Sequence, residues 1–468
     1  MKKSTTTVVR LLSASIALSL IAAACGDDGG DSASTTAAAA ETTAASTATT
    51  AAGTATTAGG TATTAAAGAK TADELLAVVN EAKGEPVKIG FMHDGKSAAV
   101  DNTDDWVVAQ ATVAYMNKSL GGIAGRPIEL VECQSLDDNA LATDCGNKFV
   151  EEKVNAVLLA TSGRSGVLWD AVNPSGIPYI CGACNDVRVT SDAKSTYTMV
   201  NGLAGSLAAP VAFAKQVKAK AIAAMVIGMP SAVDPQAMVK AAAEAAGMTF
   251  DLVSIPPGTP DMSSQVAAML TKNPDLVNIV GDPTFCLTAL TALNDAGYKG
   301  TIQTADYCVS SKVYEPLPAE VKTSLKVQAS VAMGLPAGKS ADWDLYQGIM
   351  KKYGSKIPEV SGVRGWAYQV VWAMFLGANG GKIDPKNINK DTFNAAMKAA
   401  PEQVLPLTEG NTFKCDGKSF AGGPAICPKS ATLETTLDKD ANFVSYKALD
   451  VSAEVDAILA FLAKAATK

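Results

Sequence analysis

The sequence predicts an α/β protein of two lobes, each an open, mainly parallel sheet flanked by helices. Three observations carry this expectation. Short, nearly uninterrupted apolar segments recur from residue 87 onward, helical periodicity fills the gaps between them, and the alternation runs to about residue 181 and restarts after Leu203. Apolar strands buried on both faces belong to parallel sheets whose crossovers are helices. The roughly 400 residues after position 70 are long enough to fill two cores.

In chain order, 71–83 reads as a short amphipathic helix that Thr71 can cap. The first unit places strands at 87–91, 127–132, 155–160 and 177–181, with helices at 104–120, 137–152 and 163–173 between them. The second places strands at 221–227, 250–255, 276–280 and 301–305. Its helices fall at 206–217, 235–246, 261–270 with Asp261 as cap, and 285–296. After Lys326 the pattern loosens into a crossing strand at 326–333, helices at 343–353, 362–380 and 391–400, a Gly-rich stretch at 412–428, a strand at 443–449 and a closing helix at 452–466. Helices and a strand left over after the second unit mean that the chain returns, so the lobes share a multi-strand hinge. A cleft between such lobes is where small ligands bind.

The N-terminus is no part of this fold. Lys2, Lys3 and Arg10 precede the apolar run 11–24 and the segment LIAAAC, which reads as a secretory signal ending at a lipid-attachment cysteine, Cys25. An ordinary cleaved signal or an uncleaved anchor are the alternatives. Residues 26–70 are almost entirely Ala, Thr, Gly and Ser, with no large apolar side chain to offset the entropy of ordering, and read as a disordered tether. The expected organisation is a signal peptide at 1–24, a lipidated, palmitate-bearing cysteine and tether at 25–70, the first lobe at 71–203 and the second at 204–328. The return to the first lobe spans 329–440, with a disulfide-bearing insertion, and 441–468 belongs mostly to the second.

Nine cysteines less Cys25 leave eight in an exported chain. Spacing suggests Cys133 with Cys145, Cys181 with Cys184, Cys286 with Cys308 and Cys415 with Cys427, although eight cysteines admit many pairings. A net charge of −7 without a basic stripe excludes a nucleic-acid partner. No dinucleotide fingerprint or phosphate-binding loop occurs, and the one histidine, His93, has no Asp or Cys at ligand spacing, so neither cofactor nor metal is expected. CGAC at 181–184 has the form of a thiol–disulfide motif, but 185–195 show no helical stripe that would activate a thiol, so a structural disulfide is the stronger reading. His93 follows the first strand beside Asp94 and Gly95, at the crevice edge of an α/β sheet, where it either touches a ligand or holds its loop. Trp343, Trp366, Tyr368 and Trp372 lie on helical segments and read as core.

The stretch 113–163, VAYMNKSLGGIAGRPIELVECQSLDDNALATDCGNKFVEEKVNAVLLATSG, with GIPYICGACND at 176–186, resembles the branched-chain amino-acid type of periplasmic binding protein, the solute-binding component of an ABC importer. NKSLGGIAGRPIEL at 117–130 is the most specific part, PDMSSQVAAMLTKNPDLV at 260–277 resembles the second lobe, and the likeness spans about 86–380. It implies the two-lobed type I periplasmic-binding-protein fold and high-affinity capture of a small polar solute, an amino acid or related amide or carboxylate, for delivery to an ABC permease. It implies no enzymatic step. In such proteins a serine after the third strand and groups after the fourth hold the ligand carboxylate. Here these fall on Ser162, with Thr161 and Arg164, and on Ala183, Cys184 and Asn185. An acidic residue of the second lobe takes the amino group, and Asp306 and Asp282 are the rivals. The family's tyrosine after the first second-lobe strand is absent, because 227–234 reads IGMPSAVD. The expected protein is a monomer, lipid-anchored on the extracytoplasmic face of the cell membrane. The competing classes are a surface ligand sensor, an envelope enzyme such as an amidase or a thiol oxidoreductase acting through CGAC, and a structural lipoprotein with a vestigial cleft.

Overall fold

The computed structural model describes residues 71–97, 101–184, 186–200, 202–358, 362–420, 422–428, 430 and 432–466. The expected signal peptide, Cys25 and the tether lie outside them.

The first series runs α1 (Ala72–Ala77), β1 (Val87–His93), α2 (Thr103–Ser119), β2 (Ile128–Gln134), α3 (Asn139–Glu151), β3 (Ala156–Thr161), α4 (Ser165–Val172), β4 (Tyr179–Ala183), α5 (Val187–Thr190) and β5 (Thr196–Thr198). Its five strands are all parallel, in the order β2-β1-β3-β4-β5. The second series runs α6 (Gly202–Gln216), β6 (Ala221–Ile227), α7 (Pro230–Val233), α8 (Gln236–Ala245), β7 (Thr249–Ile255), α9 (Ser263–Leu270), β8 (Leu276–Val280), α10 (Pro283–Asp295), β9 (Thr301–Ala305), α11 (Ala319–Ser324) and β10 (Lys326–Ala329). The chain then returns through α12 (Ala341–Tyr353), α13 (Gly362–Gly380), α14 (Lys390–Ala399), β11 (Gln403–Val404) and β12 (Thr412–Phe413), and closes with β13 (Leu433–Leu437), β14 (Phe443–Ala448) and α15 (Ser452–Ala466). The second sheet has the order β14-β13-β10-β9-β8-β6-β7, parallel except at β13 and β14.

Each sheet is covered on both faces, as its apolar strands require. In the first lobe α2, α12 and α13 form one core with Phe91, Leu158, Trp343 and Tyr368, while α3 and α4 bury Phe149, Leu168 and Val172 on the other face. The approach of α3 is close: a Cβ on Gly90 of β1 would meet the Phe149 ring at 2.8 Å. In the second lobe α9 and α10 cover one face, and α6, α8 and α15 the other. Caps set several helix starts: Asp138 accepts from Leu141 N at α3, and Ser340 from Trp343 N at α12.

Where the structure departs from the sequence expectation, long-range hydrogen bonds decide. The Thr71 capping box forms, but α1 stops at Ala77, because the N–H groups of Asn80 and Ala82 go to the carbonyls of Lys118 and Asn117 at the end of α2. Asp261 accepts from Ser263 N and Oγ in a turn ahead of α9 and is not its N-cap residue. The strand expected at 326–333 ends at Ala329, after which Ala332 N donates to the Leu407 carbonyl. Leu433–Leu437 lies inside the expected first-lobe return, yet pairs antiparallel with β10 in the second sheet, so that boundary falls before 433.

The chain passes between the sheets after β5, after β10 and after β12. The first and third passages run side by side, with Thr198 N donating to the Ala425 carbonyl and Cys427 N to the Thr198 carbonyl. Disulfides join Cys133 to Cys145, Cys181 to Cys184, Cys286 to Cys308 and Cys415 to Cys427, the last holding that third passage.

Candidate functional site at the strand ends

In an open parallel sheet the crevice lies beyond the C-terminal strand ends, where neighbouring connections leave in opposite directions. The first sheet reverses between β1 and β3, which brings the residues after His93 next to those after Thr161. The second reverses between β6 and β8.

At the first crevice the organising group is Asp94, which is 2% exposed. Its Oδ1 accepts from Ser135 Oγ at 2.7 Å and from Ser162 Oγ at 2.6 Å, and its Oδ2 from Asn102 Nδ2 at 3.2 Å. Ser162 in turn accepts from Arg164 N at 2.9 Å. Its proton therefore already belongs to a protein carboxylate. The Arg164 guanidinium turns to the loop after β2, with Nε donating to the Asp137 carbonyl at 2.8 Å and lying 3.1 Å from Asp137 Oδ1. Thr161 donates to the Ala183 carbonyl at 3.4 Å, and Ala183 packs its methyl against Val200 and Trp366. Asn185 lies outside the described residues.

His93 is tied into its loop and the neighbouring strand. It is 1% exposed, its Nδ1 accepts from Gly95 N at 3.2 Å, and its Nε2 donates to Glu132 Oε1 at 3.0 Å while the ring stacks on Trp106.

Of the two second-lobe candidates, Asp282 is an exposed N-cap of α10, with Oδ1 accepting from Thr284 N and Phe285 N. Its carboxylate serves the helix start. Asp306 sits in a single 3-10 turn after β9, and its Oδ1 accepts from Tyr307 N at 2.9 Å. Burial pushes its carboxyl up to about 6. A carboxylate with that much lost hydration and no cation to pair with among the described residues favours a positive or hydrogen-bond-donating neighbour.

Sequence reasoning missed Asp105, Arg364 and Trp366 at the first crevice. Asp105, fully buried in the first turn of α2, pairs with Arg364 Nη1 at 2.7 Å, and Arg364 also reaches Asn102 Oδ1 and the Asp101 carbonyl. Burial pushes the Asp105 carboxyl up to about 7 against the pull of that guanidinium. Trp366, expected in the core, is only half-buried and flanks Ala183, whereas Trp343, Tyr368 and Trp372 are buried. An arginine inside an otherwise apolar helix, GVRGWAY, was the available signal for Arg364 and Trp366.

The CGAC sulfurs are joined to each other and buried, and the helix that follows is one turn long. A thiol exchange partner has no exposed sulfur to attack there. Among the described residues no group of three His, Cys, Asp or Glu could hold a metal, and no helix is long and apolar enough to cross a membrane.

Comparison with known proteins agrees with this architecture. No curated protein matches the sequence. Among solved structures, the branched-chain amino acid transporter substrate-binding protein LivJ of Streptococcus pneumoniae, in complex with isoleucine, is 18% identical with a TM-score of 0.54, over 78% of this chain and 99% of that one. A branched-chain amino acid ABC transporter protein of Thermus thermophilus with bound valine is 14% identical with a TM-score of 0.58, over 77% and 95%. A fatty acid ABC transporter substrate-binding protein of Thermomonospora curvata is 16% identical with a TM-score of 0.55, over 80% and 96%. Identities this low speak for the fold. The family model for periplasmic binding proteins matches residues 86–422, most of the chain, and together with the two-lobed α/β architecture it makes this chain a member of the periplasmic binding protein family.

Proposed function

We propose that the chain captures a small polar solute between its lobes and hands it to the membrane permease of an ABC importer, working as a monomer held to the extracytoplasmic face of the membrane by a lipid on Cys25. The observation that carries this reading is the crevice at the switch point of the first sheet, where Asp94, Ser162 and Arg164 gather polar groups in a fold whose relatives carry isoleucine and valine. Closure of two lobes on a solute works because the closed state gains contacts that the open state lacks.

The solute class is an amino acid or a related amide or carboxylate. Geometry ranks its ends. A solute carboxylate seeking the Ser162 hydroxyl must first displace Asp94, a buried carboxylate of like charge, whereas an ammonium or amide N–H meets an acceptor at Asp306. Native mass spectrometry of the chain expressed in an oxidising compartment, followed by a thermal-shift screen of amino acids, short amides, ureas and small carboxylates, tests the reading. A bound small molecule or a selective rise in melting temperature is expected. No bound mass and no shift across the panel would remove solute capture as the function.

A further inference from the structure

The third passage between the lobes, which leaves β12 and enters β13, divides its apolar side chains between both cores. Phe413, Cys415 and Cys427 belong to the core of the first lobe, and Phe420 and Ile426 to the core that α6, α8 and α15 build on the second. All five are buried. Ile426 forms a parallel bridge with Thr198 at the end of β5, and successive side chains of an extended segment point to opposite faces. That alternation is how the neighbours Ile426 and Cys427 reach different lobes.

The two attachments differ in kind. Toward the first lobe they are hydrogen bonds: Thr198 N donates to the Ala425 carbonyl at 2.8 Å, Cys427 N to the Thr198 carbonyl at 3.0 Å, and Ala425 N to the Thr190 carbonyl at 3.1 Å. The segment is also tied to itself. Lys414 N and Ser419 Oγ both donate to the Cys427 carbonyl, at 3.1 Å and 2.7 Å, around the Cys415–Cys427 disulfide. Toward the second lobe the segment offers apolar contacts, with Phe420, Ile426 and the backbone of Gly422, where a Cβ would stand 3.4 Å from Leu459 Cβ of α15. From Ser430 onward the chain is bonded to the second lobe, the Ser430 hydroxyl donating to the Leu449 carbonyl at 2.8 Å. Hydrogen bonds and a disulfide fix direction, whereas apolar contact is non-directional and survives sliding.

We propose that residues 413–428 are a strap carried by the first lobe and stapled by Cys415–Cys427, against which α15 of the second lobe slides, and that Phe420 and Ile426 set how far the lobes part. Opening wide enough to lift α15 off the strap would return both side chains to water, which is disfavoured in proportion to the apolar area exposed. The open state is thereby held to those angles at which the contact survives, and a narrower open ensemble loses less conformational freedom on closing over a solute. This role rests on lobe closure as the mode of solute capture.

Pulsed electron paramagnetic resonance between non-cysteine spin labels at Asp144 of α3 and Asp295 of α10, on the purified full chain without solute, reads the spread of inter-lobe distances. Phe420→Ala, and separately Cys415→Ser with Cys427→Ser, are expected to broaden that spread about twofold and to lengthen its mean. Gly422→Cys with Leu459→Cys places two Cβ atoms close to the separation of about 3.5–4.5 Å that a disulfide spans. Once oxidised, this variant is expected to show a spread narrower than the parent's. Loosened variants whose distances superpose on the parent's would overturn the proposal. A cross-linked variant as broad as the parent would do so as well, and it decides the matter where a loosened variant fails to fold. With no solute present, unchanged distances would leave solute capture standing, and a failed solute screen would leave the distances standing.

Discussion

The Ser162 hydroxyl donates to the Asp94 carboxylate at 2.6 Å and so ties the end of β3 to the end of β1 across the switch point of the first sheet. Asp94 holds three donors in all, from Ser135, Ser162 and Asn102. Hydrogen bonds to a buried charged group each contribute about 1.5–3 kcal/mol, and a donor left behind without a partner costs more than the bond itself was worth. Asp94→Ala is therefore expected to lower the free energy of unfolding by about 3 kcal/mol, and Ser162→Ala by about 1–2 kcal/mol. Denaturant titration of the two variants reads this, and a loss under about 0.5 kcal/mol in both would show that the crevice does not depend on the bond.

Arg364 and Asp105 link α13 to α2 through a buried ion pair. Removing one partner strands the other charge, at about 3–5 kcal/mol, while replacing both by apolar groups is often neutral. Arg364→Met is expected to be strongly destabilising, and Asp105→Leu introduced into it should restore much of the loss. A double variant no better than Arg364→Met would count against the pair as the cause.

Asp306 titrates in the folded protein near pH 6, above the usual carboxylate range near 4, because burial disfavours its charged form. A raised folded value means that the native state holds its proton longer than the unfolded chain does. The stabilisation is complete below about pH 4 and is lost as pH rises through about 6. Asp306→Asn is expected to match the parent at pH 4 and to exceed it in melting temperature at pH 7.5. A solute ammonium beside Asp306 would also displace that proton, so affinity for a cationic solute should rise between pH 5 and pH 7 and lose this slope in the variant. Parallel melting curves for the two proteins across this range would argue that Asp306 is fully hydrated.

The disulfide Cys286–Cys308 joins α10 to the turn that carries Asp306, closing a loop with a sequence separation of 22. By loop entropy alone such a link contributes about 3 kcal/mol. The double variant Cys286→Ala, Cys308→Ala should lose about that much stability, and it should bring the pH midpoint of Asp306 back toward 4 as the turn loosens. Unchanged stability under reducing and oxidising conditions alike would exclude the link.

Cys25→Ser removes the proposed site of lipid attachment. The variant is expected to appear in the culture medium or periplasmic extract and to lose incorporation of labelled palmitate, with solute binding retained. Continued membrane retention of the variant would point to an uncleaved apolar anchor at residues 11–24.

Local pattern was enough for the architecture. Residues 221–227 are apolar on both faces and 87–91 are so except at Lys88, and the helices between strands show their own period, so two parallel sheets with helical covers could be read directly. The cysteine pairs could be proposed because each lies within one local stretch. What sequence alone left open were relationships between residues far apart in the chain. Pairing of Val327 with Thr435, burial of Arg364 against Asp105, and the bond from Ser162 to Asp94 all join segments separated by scores or hundreds of residues. Periodicity records only which face of an element is apolar, and it is silent on which distant donor reaches which acceptor. His93 illustrates the limit: its position after the first strand was legible, but its ring nitrogens were committed by Gly95 and by Glu132 on the neighbouring strand. Only the folded chain decides how polar groups at the crevice divide between holding the protein together and meeting a solute, because that division depends on distances of a few ångströms across the switch point.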